Sequence, residues 1–70
     1  MDLKDFGLKV AKFRIKANLS AYELSLRIGK DATYIYKLEN GKVNTTLKTI
    51  FKICEVLDID PIELFKSINN

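Results

Sequence analysis

The sequence predicts an all-α fold of five helices, on three observations. Apolar residues recur at three- and four-residue spacing, the mark of one buried helix face, and no stretch reads as a strand. Helix-start signals head two segments, Ser20-Ala21-Tyr22-Glu23 and Asp60-Pro61-Ile62-Glu63. Residues that tolerate a left-handed backbone, Asn18, Gly29 and Asn40-Gly41, stand where segments should stop.

The first helix is expected from about Leu3 to Ala17, with Leu3, Phe6, Val10 and Phe13 as its apolar stripe and Asn18 as its end. The second begins at Ser20, whose oxygen and the Glu23 carboxylate form a capping box, turns Leu24 and Ile28 inward, and stops at Gly29. Only Gly29 and Lys30 separate it from the third, capped by Asp31 and running to about Glu39, with Ile35 and Leu38 inward. The fourth starts near Thr45 or Thr46 and should bury Leu47, Ile50, Ile53, Cys54 and Leu57. In the fifth, Asp60 caps, Pro61 takes the first helical position, Glu63 completes a box, and Leu64, Phe65 and Ile68 are apolar.

Seventy residues, nearly half of them apolar, make one domain over 1–70 with a modest core. The apolar runs are too short to span a membrane, and the mixed-charge start Met1-Asp2-Leu3-Lys4-Asp5 lacks a signal-peptide core, so cytoplasmic residence is the expectation. The single cysteine, Cys54, has no partner for an internal disulfide, and with no histidine neither a zinc-ligand set nor the commonest general base can be assembled. No enzyme, metal, cofactor or small-molecule ligand is expected. Cys54 reads as a small core residue. Charge is unevenly placed: residues 1–52 carry eleven Lys/Arg and five Asp/Glu, a net +6, and residues 53–70 carry one Lys and four acids, a net −3. A basic body with an acidic end fits one surface that meets a polyanion, although an ordinary solvated surface would show such charges too.

Two short helices joined through a glycine turn form a helix-turn-helix, whose second helix would enter a DNA major groove. Docking requires an apolar inner side, supplied by Ile35 and Leu38. The outer side, Ala32, Thr33, Tyr36 and Lys37, is polar, basic and free of carboxylates. Lys37 can donate to guanine O6 or N7, Thr33 can hydrogen-bond a base or touch a thymine methyl, Ala32 can pack on that methyl, and Tyr36 can reach a base edge or a phosphate. An ordinary helical hairpin would not need such a face.

The order Phe6-Gly7, Val10, Arg14, Leu19-Ser20, Glu23-Leu24, Ile28-Gly29, Tyr34-Ile35, Leu38-Glu39-Asn40-Gly41-Lys42, Leu47, Ile50, Ile53, Leu57 and Glu63-Leu64-Phe65 resembles the phage-repressor/Cro-like (XRE-type) helix-turn-helix family over residues 6 to 65. The resemblance implies a lambda-repressor-like domain and a DNA-binding transcriptional regulator. It places Ala32, Thr33 and Lys37 where the family reads bases, with Tyr36 beside them, and Asn40 and Lys42 where the family meets phosphates. It also implies an ion pair between Arg14 and Glu39 that ties the first helix to the third. The chain departs from the family at Ala21, often a phosphate-binding Gln, which leaves that contact to Tyr22 or to backbone N–H groups at the helix start by Ser20. Tyr34 is expected to pack its ring and either offer its hydroxyl to a phosphate or serve packing alone. Few long polar side chains stand at the reading positions, so recognition should lean on DNA shape as well.

One such helix reads only a few base pairs, so a homodimer on a pseudo-palindromic operator is expected, with half-sites ~34 Å apart. Ile59, Ile62, Phe65 and Ile68 are the candidate dimer surface, though all four can also complete the monomer core. The lysines and Arg27 would attract DNA non-specifically. A phage repressor, a restriction–modification controller and an antitoxin all suit a chain of this size. The competing reading is a protein-interaction module that docks a partner through Tyr22, Leu26 and Tyr36.

Overall fold

In the computed structural model, residues 1–66 are described and fold into α1 (Leu3–Lys16), α2 (Ala21–Arg27), α3 (Tyr34–Glu39), α4 (Leu47–Leu57) and α5 (Ile62–Phe65), with no strand among them. The all-α, five-helix expectation holds. Ile68 lies outside the described residues. No described helix is long and apolar enough to cross a membrane.

Each helix start follows from local chemistry. α1 opens on Asp2, whose carboxylate accepts from the Asp5 backbone N–H at 2.8 Å while Asp5 accepts in return from Asp2, a box the apolar periodicity alone does not reveal. α2 opens on the expected box: Ser20 Oγ accepts from Glu23 N–H and Glu23 Oε1 from Ser20 N–H, both at 2.9 Å. Between two candidates the α4 cap falls to Thr46, whose Oγ1 accepts from Thr49 N–H at 3.2 Å. Asn18 takes a left-handed backbone (φ 59°) as expected, and Gly29, at φ 77°, turns the chain where a side chain would be strained.

The core joins α1 (Phe6, Val10), α2 (Leu24, Ile28), α3 (Ile35, Leu38), α4 (Ile50, Ile53, Cys54, Leu57) and Leu64 of α5. α3 packs against both α1 and α2, which makes it the most embraced element despite its length. Two stripe residues prove to be outside the core. Leu3 is 41% and Leu47 61% exposed, because each is the first residue of its helix and projects past the core's edge. Thr49 is buried instead, its hydroxyl accepting from Thr46 at 3.2 Å.

Two further boundaries differ from expectation. α3 begins at Tyr34 rather than just after Asp31, since residues 31–33 form a turn closed by Tyr34 N–H on the Asp31 carbonyl at 3.2 Å. At α5, Asp60 accepts from Ile62 N–H at 3.0 Å, but Glu63 does not reach back to complete a box; it pairs with Lys66 at 3.1 Å.

Candidate nucleic-acid interface

Three inner contacts hold α3 in place. Gly7 of α1 lies flat against its C-terminal end: a Cβ there would stand 2.5 Å from the Leu38 carbonyl oxygen and 2.6 Å from that of Glu39. Only glycine permits that approach, and this outweighs its helix-propensity cost within α1. Ser25 of α2 is fully buried, donates its hydroxyl to the Ala21 carbonyl at 2.8 Å, and accepts from the Ile35 backbone N–H at 2.9 Å. It thereby supplies a partner for an N–H in the first turn of α3, which has none within its own helix. Arg14 grips Glu39 with two bonds, Nε to Oε2 at 2.6 Å and Nη2 to Oε1 at 3.0 Å, and also donates through Nη1 to the Leu19 carbonyl at 2.8 Å. The Glu39 carboxylate holds the Arg14 guanidinium above its ordinary pKa. A carboxylate in the last turn of α3 opposes the helix dipole, and Arg14 offsets it.

Ala32, Thr33, Tyr36 and Lys37 are all exposed, opposite the buried Ile35 and Leu38. The shortened α3 changes how they are carried. Tyr36 and Lys37 stand on the helix, whereas Ala32 and Thr33 belong to the turn that leads into it. That turn is tied down: Asp31 Oδ1 accepts from both the Thr33 backbone N–H at 2.9 Å and the Thr33 hydroxyl at 2.7 Å. The two bonds hold the Asp31 carboxyl below its ordinary value, with the hydroxyl as the larger cause. Sequence reasoning treated Asp31 as a cap and missed its hold on the Thr33 side chain; the Asp-x-Thr spacing was the available signal.

The residues expected near phosphates divide by their freedom. Lys42 is exposed. Asn40 is exposed and donates its amide to the Tyr36 carbonyl at 2.7 Å, which leaves its oxygen to solvent. Ser20 spends its oxygen on the α2 cap, and Tyr22 is 58% exposed one residue after Ala21. Tyr34 is half-buried, its hydroxyl donating to Thr45 Oγ1 at 3.0 Å and its ring under the Lys30 ammonium at 5.2 Å. The ring of Tyr34 packs, and its hydroxyl proton goes to Thr45 within the chain. At the far end Ile59 is half-buried, while Ile62 and Phe65 are 59% and 49% exposed, Phe65 stacking partly on Phe6 at 6.2 Å.

The helix-turn-helix family model matches residues 10–64. The control protein C.MunI of Mycoplasma sp is 41% identical over 64 residues, which are 90% of this chain and 86% of that protein. Among solved structures, the restriction-modification controller protein C.AhdI from Aeromonas hydrophila superposes with a TM-score of 0.86 at 38% identity, over 91% of this chain and 93% of that one. The hypothetical transcription factor NHTF from Neisseria superposes with a TM-score of 0.88 at 26% identity, over 97% of this chain and 79% of its own. A match across most of the chain, by sequence and by shape alike, carries one conclusion: the protein belongs to the XRE-type helix-turn-helix family.

Proposed function

We propose that this protein is a sequence-specific DNA-binding transcriptional regulator of the restriction–modification controller kind, acting in the cytoplasm as a homodimer on a pseudo-palindromic operator. The observation that carries the reading is the joint exposure of Tyr36 and Lys37 on a rod whose inner side is buried and of Ala32 and Thr33 on the turn leading into it. Lys37 would donate to guanine, while Ala32 and the Thr33 methyl would meet thymine methyls. Tyr36 would reach a base edge or a phosphate. Asn40, Lys42, Tyr22 and the backbone at Ser20 would take phosphates and set register. Similarity to two control proteins favours the controller setting over other small regulators.

The dimer surface proposed is Ile62 and Phe65 with Ile59 at its edge, on the end of the chain that carries net negative charge and so suits a face turned from DNA. A protein-partner reading is favoured by Tyr22 and Leu26, 58% and 50% exposed and one turn apart on α2. Titration of random and selected duplexes at stepped salt tests both readings. A regulator touching about six phosphates should lose on the order of 10³-fold in affinity between roughly 50 and 200 mM salt, and should hold its selected site against random competitor. No duplex binding at low salt would refute the DNA reading and leave the partner reading standing. Sedimentation at stepped concentration tests the dimer, which Phe65→Lys should dissociate.

A further inference from the structure

We infer that Asp31 is a specificity-determining residue: by taking the Thr33 hydroxyl proton, it makes the entrance of the reading face a hydrogen-bond acceptor without a donor. The inference rests on the DNA-binding reading above. A free threonine hydroxyl is ambiguous, since it can donate to guanine O6 or accept from an amino group, and it rotates to suit. Here that freedom is gone. The hydroxyl donates to Asp31 Oδ1 at 2.7 Å, and the Thr33 N–H is held by the same oxygen at 2.9 Å. What Thr33 still presents is its oxygen lone pairs and its methyl. Both bonds use Oδ1, so Oδ2 of the exposed Asp31 faces solvent as a second acceptor. As an exposed carboxylate, Asp31 is ionised at neutral pH and offers no proton of its own.

Base edges respond differently to such a pair. Cytosine N4 and adenine N6 bring amino donors into the major groove, and Asp accepting from cytosine N4 is a known geometric match. Guanine brings only the O6 and N7 acceptors there, which would meet oxygens without an intervening proton. The entrance should therefore require an amino-bearing base and reject guanine at that one position, while Lys37, a donor without an acceptor, favours guanine further along.

Selection from a random duplex library, run in parallel on the wild-type protein, Asp31→Asn and Thr33→Val, tests this, with a thermal melt of each variant as a folding control. Asn at position 31 can still accept from Thr33 through its amide oxygen but adds an N–H₂ donor. The wild type should show one half-site position at which cytosine or adenine is preferred and guanine is at least ~10-fold weaker. Asp31→Asn should melt normally and admit guanine there with all other preferences kept, and Thr33→Val, which removes one of the two acceptors, should weaken the exclusion while Asp31 Oδ2 keeps part of it. A preference profile for Asp31→Asn identical to wild type, or guanine preferred by the wild type at the position that Asp31→Asn alters, would overturn the inference while leaving DNA binding intact. A wild-type pool with no enrichment would instead overturn the underlying reading.

Discussion

Glu39→Ala should unfold this protein well before it alters which DNA it prefers. Arg14 and Glu39 lie between α1 and α3 with side chains only 16% and 11% exposed, and two of the three guanidinium bonds go to Glu39. Truncation leaves the Nε–H and one Nη2–H without their acceptor in a site that water reaches poorly. A hydrogen bond to a charged group is worth about 1.5 kcal/mol or more, so two amount to about 3 kcal/mol, the lower end of what stranding one partner of a buried pair costs. For a domain of this size that corresponds to a fall of about 12 to 24 °C in melting temperature. Glu39→Gln, which keeps one oxygen acceptor and the shape, should lose roughly half as much. Thermal melts by circular dichroism measure both, and titration with duplex well below each variant's melting point should find affinity changed no more than about threefold. A Glu39→Ala protein that melts like the wild type yet binds its duplex poorly would refute the reasoning and place Glu39 in DNA contact.

Gly7→Ala should cost roughly 3 kcal/mol or more, because its Cβ meets two backbone carbonyls at 2.5 and 2.6 Å that cannot swing aside; a melting point within a few degrees of wild type would show that α1 and α3 can slide apart. Ser25→Ala leaves the Ile35 N–H unpaired in the core and should cost about 2 kcal/mol, with amide exchange at Ile35 accelerating more than at Ile53; uniform acceleration would argue against a local role. Acid should loosen the helix starts. Hydrogen bonds lower the folded-state values of Asp2, Glu23 and Asp31 below their ordinary 3.8, 4.5 and 3.8, so their contribution is present above about pH 5 and is lost as pH falls through the lowered values; a melting point that rises between pH 5 and 3 would contradict this. Lys37→Ala and Tyr36→Ala should shift unfolding free energy by no more than about 0.5 kcal/mol while weakening selective DNA binding, and large losses of stability in either would mean that the outer side of α3 is part of the core.

What the sequence revealed was whatever is encoded locally. The Ser20–Glu23 box, the stop at Asn18 and the inward Leu24, Ile28, Ile35 and Leu38 depend on neighbours within four residues, and each was legible. Leu47 was misplaced for a physical reason: periodicity gives the direction of a side chain but not whether core extends that far along the helix axis. Ser25 escaped because a serine inside an amphipathic helix reads as solvent-facing, and its meaning appears only when Ile35 N–H arrives from another element. Gly7 carried a signal, a costly residue inside a helix, but nothing local said which helix comes so close. The late start of α3 has the same origin: the N-cap position falls to Thr33 rather than to Asp31, whose carboxylate instead closes a turn over Thr33 before the helix begins.

A six-residue helix has no stability of its own, since isolated helices shorter than about 12 residues are marginal in water. Its position is therefore borrowed from α1 and α2 through Gly7, Ser25 and Arg14, all of which act on its inner side or its ends. That division separates two demands that would conflict on a single surface. The inner anchors must stay as they are to keep the rod at one angle, while the side chains of Ala32, Tyr36 and Lys37 are exposed, share no hydrogen bond with Ser25 or Arg14, and can change without disturbing it. Thr33 is the exception, because Asp31 couples its side chain to the turn that starts the rod. A change of DNA preference made at position 33 thus has to be made together with position 31, whereas one made at 36 or 37 can be made alone.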